Sequence, residues 1–213
     1  MIANHIHHAL AQVQELQQKI LEKQRFKGYS GRARAISGTL ALMAAFFMDS
    51  RFYPRTVAAH AAGWGTVFVL AMLLNFGAVL YWFLFDPASK REVRRLKPVA
   101  DIFFPLFVGG LLTLVLLREE LPQYLFGAWM CLFGLANLAT RHVLPRAVWL
   151  IGLYYILFGT ALLLIIPISF LNPWPMGIAF FIGEWCGGIV LHFDETEHFS
   201  FMEFLGRKKH AEI

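Results

Sequence analysis

Glu184 is the residue in this sequence whose surroundings most call for a chemical explanation. It lies near the centre of the apolar stretch 176–193, which is about long enough to cross a membrane as a helix. A carboxylate there costs about 2.5–3.5 kcal/mol to insert, so it usually faces a bundle interior or a water-filled path. Gly183 and Gly187 flank it with GxxxG spacing, which favours close helix contact. We therefore expect Glu184 to point into a helix bundle.

No Lys or Arg falls at the predicted depth of Glu184. A buried carboxylate without an opposite charge is disfavoured in its ionised form, because it loses its hydration and gains no partner. We therefore expect Glu184 to be protonated, hydrogen-bonded to neighbours, or in contact with water. Carboxylates in such positions serve as proton relays in transporters. A small permease or proton-coupled carrier that uses Glu184 is one functional hypothesis.

Other polar residues within the apolar segments could share one intramembrane polar site with Glu184. Counted from the predicted segment ends, they lie towards the same side of the membrane: Asn75, Asp101, Asn137 and His192. Simpler roles remain open for them. Asp101 follows Pro98 in the first turn of a predicted helix, where the helix dipole favours a carboxylate. The two asparagines could each simply hydrogen-bond a neighbouring helix.

Metal and enzyme chemistry have weaker support at the end of the last apolar segment. His192, Asp194 and His198 are candidate ligands there, but no zinc signature such as HExxH accompanies them. We expect no metal and no cofactor, and we assign no catalytic residue. A membrane-embedded enzyme that uses His192, Asp194 and Glu195 at the inner surface is a third hypothesis.

The elements that must position these residues are membrane-spanning helices. The chain has 213 residues, of which 58% are hydrophobic and 15% charged, whereas a soluble domain has about 25% charged residues. We predict an all-α integral membrane protein whose residues 29–193 form a six-helix bundle. The predicted spans are about 33–53, 57–85, 99–117, 121–140, 147–170 and 176–193. Cys131 and Cys186 lie in these spans and are expected to be reduced and buried.

The distribution of basic residues predicts the orientation of the bundle. If residues 1–28 are cytoplasmic, 16 of the 19 Lys and Arg residues fall on the inner side, as the positive-inside rule requires. Both termini are then cytoplasmic in a plasma or inner membrane, and residues 194–213 form an interfacial tail. The net charge of +5 is thereby explained without nucleic acid. We expect the lipid bilayer as a partner and no nucleic acid.

Residues 1–28 are predicted to form a cytoplasmic amphipathic helix. Ile6, Val13, Leu16 and Ile20 fall on one face of it with heptad-like spacing. Such a stripe is expected to bind a cytoplasmic partner or a second copy of the chain. A membrane-anchored regulatory or assembly module is therefore the leading hypothesis from the sequence. Ser30 is predicted to cap the helix that follows.

Overall fold

Helices account for all the regular secondary structure that the chain adopts in the described residues. The computed structural model describes residues 12–13, 29–85, 97–141, 144–145, 147–164 and 168–195. From residue 29 onwards, six helices are described: α1 (Gly31–Met48), α2 (Val57–Phe85), α3 (Lys97–Arg118), α4 (Leu125–Ala139), α5 (Val148–Leu164) and α6 (Trp174–Glu195). A single 3₁₀ turn, Pro122–Tyr124, precedes α4. The prediction of an all-α chain is confirmed for these residues.

Much of the predicted N-terminal helix and tail lies outside the described residues. Only Gln12 and Val13 of the N-terminal helix are described; both are helical, and Val13 is 51% exposed. Ile6, Leu16, Ile20 and His198 fall outside, so their predicted roles stay predictions.

Three of the six helices are long and apolar enough to cross a membrane: the segments Val57–Phe85, Ala100–Arg118 and Trp174–Phe193. Helix α5 is apolar but shorter. Each predicted span overlaps one of the six helices, with ends that differ by a few residues. Large exposed apolar side chains lie on the outer faces of α2 and α3, among them Val69, Leu73, Phe104 and Leu114. Exposed apolar surface of this extent marks a lipid or protein contact.

The helices form an arc with a gap between its ends. In the described residues, close contacts run in the order α2, α1, α6, α5, α4, α3. Helices α2 and α3 are therefore the two ends of the arc, although they follow one another in the chain, and they make almost no contact with each other there. The arc surrounds a central space onto which five of the helices face.

The start of α1 is fixed by a side-chain cap, as the sequence predicts. Ser30 has extended backbone, and its hydroxyl accepts a hydrogen bond from the amide of Ala33 at 3.4 Å. This bond satisfies one of the amide groups that a helix N-terminus leaves without a partner. The cap places Arg34 within the first turn of α1.

The two cysteines are free thiols. Cys131 is half-buried, and its sulfur lies 3.8 Å from the carbonyl oxygen of Ile156. Cys186 is exposed, so the expectation that both are buried is wrong for this residue. It lies on the face of α6 that points away from α1.

Glu120 ends α3 in a left-handed conformation that costs free energy. Its φ is 58°, and the amide of Leu121 donates to the carbonyl of Leu116 at 2.8 Å. This is the six-to-one bond of a helix end whose left-handed residue is usually glycine. A side chain at such a φ costs about 1–2 kcal/mol.

Glu120→Gly removes this strain but also gives the unfolded chain more entropy, which offsets part of the gain. We therefore expect the free energy of unfolding to rise by about 1 kcal/mol. Unfolding by titration with SDS in a fixed detergent measures the change. Glu119→Gly is the matched control, because Glu119 has negative φ and should not gain. Equal effects of the two substitutions would contradict the strain at Glu120.

Candidate functional site

The contact between α1 and α6 sets the geometry of the site. The helices run antiparallel with little more than backbone between them, since a Cβ atom on Gly188 would lie 2.6 Å from the carbonyl oxygen of Gly31. A Cβ atom on Gly38 would lie 2.9 Å from Cβ of Glu184, and Gly177 packs against Ala45. Small residues at these positions allow the close approach. This register places the first turn of α1 opposite residues 187–192 of α6, and Gly38 opposite Glu184.

Arg34 and Glu184 form a buried ion pair across this contact. Nη2 of Arg34 lies 2.7 Å from Oε1 of Glu184, and Nε lies 3.0 Å from Oε2. The side chains are 8% and 5% exposed. The two parallel bonds match the planar fork of a guanidinium to a carboxylate. The prediction that no basic residue pairs with Glu184 is therefore wrong.

The sequence predicts different depths for the two residues, because Arg34 lies at the inner end of the span 33–53 and Glu184 near the middle of the span 176–193. In the structure, α6 continues beyond the level of Gly31, whose Cβ position lies 3.1 Å from the amide nitrogen of His192. Gly38, one turn after Arg34, lies opposite Glu184, so Arg34 reaches the carboxylate from the first turn of α1 through its long side chain. With Arg34 as partner, the buried Glu184 carboxylate has an opposite charge beside it.

Two further side chains complete the hydrogen bonding of the pair. The hydroxyl of Tyr155 donates to Oε1 of Glu184 at 3.2 Å, and Nη2 of Arg34 donates to Oδ1 of Asn137 at 3.1 Å. Asn137 was predicted as part of the site, whereas Tyr155 and Arg34 were missed. A tyrosine in the middle of the apolar α5 was the available signal. Buried ion pairs are tolerated when such bonds satisfy their remaining groups.

Glycines on α6 make room for these polar side chains. A Cβ atom on Gly187 would lie 2.7 Å from Cζ of Arg34, and one on Gly183 would overlap the hydroxyl of Tyr155. The GxxxG spacing around Glu184 predicts a helix-packing motif. Here these two glycines leave space for the guanidinium and the phenol, while Gly177 and Gly188 contact α1.

Asn75 joins α2 to the same polar region. Its amide nitrogen donates to Oγ of Ser37 at 2.9 Å and to the carbonyl of Ala71 at 2.9 Å. Ser37 lies one turn after Arg34 on α1 and donates to the carbonyl of Ala33. Helices α1, α2, α4 and α6 therefore each contribute polar side chains to this region, and α5 contributes Tyr155.

The structure does not bring the remaining predicted site residues into this cluster. Asp101 is half-buried in the first turns of α3, and His192 is exposed on α6. Neither lines the central space. Within the described ranges no group of three or more His, Cys, Asp or Glu residues could hold a metal ion. Asp194 and Glu195 are the last residues of α6.

A cavity of about 380 Å³ occupies the central space of the arc. At one end its walls carry the polar side chains Arg34, Ser37, Asn75, Asn137, Thr140 and Glu184. Towards the other end they are mostly apolar, and the Thr113 hydroxyl there is hydrogen-bonded to Gly109 and Trp129. Trp64 lies in this apolar part, eleven residues, about 16 Å, along α2 from Asn75. Its volume is within the usual range for small-molecule sites. We refer to it as the central cavity.

No family model matches the chain, and no curated protein or solved structure is significantly similar to it. The chemistry of the site must therefore be read from its own side chains. The described groups supply a neutralised ion pair, amides and hydroxyls at one end of an apolar chamber. These groups suit non-covalent binding.

Proposed function

We propose that the chain is an integral membrane protein that binds a membrane-soluble, amphipathic small molecule in the central cavity. The observation that carries the proposal is that polar side chains line one end of the cavity and mostly apolar side chains line the rest. An apolar body would contact walls such as Trp64 and Met176, and a polar end would meet the groups around Arg34. Ligand sites commonly combine apolar walls with a few well-placed polar groups.

The proposal includes six membrane-crossing helices with both termini in the cytoplasm. The basic residues at the predicted inner ends support this orientation. The three helices long enough to cross a membrane, α2, α3 and α6, support the membrane setting. The ligand enters sideways from the bilayer between α2 and α3, whose described residues barely touch.

The hypotheses from the sequence differ in how far the structure supports them. A proton-coupled carrier requires an unpaired Glu184, whereas Glu184 is paired with Arg34. An assembly module relied on the N-terminal helix, of which Val13 is described and exposed; docking through that stripe remains a prediction. Ligand binding is favoured over both because it uses the cavity and the polar side chains that line its end.

Filling the central cavity is expected to abolish ligand binding. Gly65 on α2 and Gly110 on α3 line the cavity, and a Cβ atom at either position would meet no atom within 4 Å. Gly110→Leu should therefore fold and place its side chain in the cavity. Gly77→Leu is the matched control, since Gly77 has equally open surroundings and does not line the cavity.

The probe is the methyl ester of a brominated fatty acid, because bromine quenches tryptophan fluorescence on contact and Trp64 and Trp129 line the cavity. The saturable part of the quenching should weaken at least about tenfold, or 1.4 kcal/mol, in Gly110→Leu and Gly65→Leu. It should be unchanged in Gly77→Leu. Saturable quenching that survives both cavity substitutions would refute the proposed site.

A further inference from the structure

We infer that the ligand is electrically neutral and that its polar end carries a carbonyl oxygen, which accepts hydrogen bonds from Nη1 of Arg34. Fatty acyl esters and related neutral lipids have this chemistry. The inference rests on the proposed function, because it assigns the ligand class of the central cavity.

Nη1 is the guanidinium nitrogen of Arg34 that has no hydrogen-bond acceptor among the described residues. An arginine has five N–H donors. Nε and both hydrogens of Nη2 are occupied by Glu184 and Asn137, whereas Nη1 donates to no protein atom among the described residues. Arg34 is 7% exposed and lines the central cavity. Nη1 is therefore the donor of Arg34 that remains for a ligand in the cavity.

The neighbouring bonds hold the guanidinium in this orientation. Glu184 and Asn137 accept hydrogen bonds from Nε and Nη2, and Gly187 packs against Cζ of Arg34. The plane of the guanidinium is thereby fixed, and Nη1 presents two donors whose orientation is set before the ligand arrives. Asn137 is thus a positioning residue. Donors held in place lose less entropy on binding than mobile ones.

The charge balance of the cavity favours a neutral ligand. Among the described side chains that line it, Arg34 and Glu184 are the charged groups, and they neutralise one another. A ligand carboxylate would have to compete with Glu184 or remain buried without a countercharge, which is costly in an apolar setting. A carbonyl oxygen accepts hydrogen bonds from Nη1 without adding charge. A purely apolar molecule would leave those donors without a partner.

Three brominated probes with the same chain separate these cases: the fatty acid methyl ester, the free acid at a pH where it is ionised, and the bromoalkane without a polar end. Saturable tryptophan quenching of the full-length protein in detergent gives the affinity of each. We expect the ester to bind about tenfold tighter than the bromoalkane, and the acid to bind more weakly than the ester.

Arg34→Lys tests the assignment to Nη1. A lysine keeps a positive charge beside Glu184 but has no second nitrogen to face the cavity. The preference for ester over bromoalkane should disappear while the bromoalkane still binds, and Arg32→Lys, at an exposed position on the same helix, should change nothing. The comparison of probes on the unaltered protein stands even if Arg34→Lys does not fold.

Tightest binding of the ionised acid would overturn neutrality and leave the proposed function in place. Equal binding of ester and bromoalkane would overturn recognition of the carbonyl, again without touching the proposed function. Absence of saturable quenching by all three probes would refute the proposed function together with this inference.

Discussion

Replacing Arg34 with methionine is expected to lower the free energy of unfolding by about 3–5 kcal/mol, because it leaves the Glu184 carboxylate buried without its partner. Glu184→Gln should be costly for the converse reason, since the amide leaves a buried guanidinium uncompensated. This second expectation differs from that for a lone buried acid, for which the amide would have been nearly silent. SDS titration in a fixed detergent, followed by tryptophan fluorescence, measures both losses.

The matched controls lie close by in the chain. Arg32→Met removes an exposed arginine from the same helix turn, and Glu119→Gln removes a carboxylate that is 61% exposed; each should change stability by no more than about 1 kcal/mol. The double substitution Arg34→Met with Glu184→Met should recover much of the loss, since well-packed apolar pairs often replace buried ion pairs. If the double variant loses the sum of the single losses, the two residues do not act as a pair.

Gly188→Ala is expected to be strongly damaging for the addition of a single methyl group, as is Gly31→Ala, whose Cβ atom would overlap the carbonyl oxygen of Gly188. A Cβ atom on Gly188 would lie 2.6 Å from the carbonyl oxygen of Gly31, and a backbone atom cannot rotate away as a side chain can. The two helices must separate, at a cost of about 1–3 kcal/mol. Separation also lengthens the hydrogen bonds between Arg34 and Glu184. The loss in the free energy of unfolding should therefore exceed that at an overpacked site with no ion pair nearby.

Gly77→Ala provides the comparison for this change. Gly77 lies within α2, and a Cβ atom there would meet no atom within 4 Å. Alanine should be neutral or should stabilise the helix by about 0.5–1 kcal/mol. Gly187→Ala should fall between the two, because its Cβ atom would meet the guanidinium of Arg34. Melting temperatures that rank Gly188→Ala with Gly77→Ala would show that α1 and α6 do not pack at this register.

The burial of Glu184 was predictable because it follows from local physical chemistry. An apolar segment of this length excludes water from its surroundings, and glycines beside the carboxylate favour close helix contact. The residue is 4% exposed, as that argument requires. The cap at Ser30 was predictable for the same reason, since one side chain and one nearby amide decide it. The participation of Asn137 also followed from a polar group in an apolar helix.

The sequence by itself determined which segments are helical, that the chain is predominantly apolar, and that Glu184 faces inward. Only the tertiary structure decided what Glu184 contacts. Its partner Arg34 is 150 residues away in the chain, and no local pattern encodes the antiparallel register that aligns the two. That register depends on where Gly31, Gly38, Gly177 and Gly188 let one backbone meet another. The gap between α2 and α3, and the cavity behind it, likewise arise from which helices pack together, because hydrophobicity makes a helix bury a face without specifying against which neighbour.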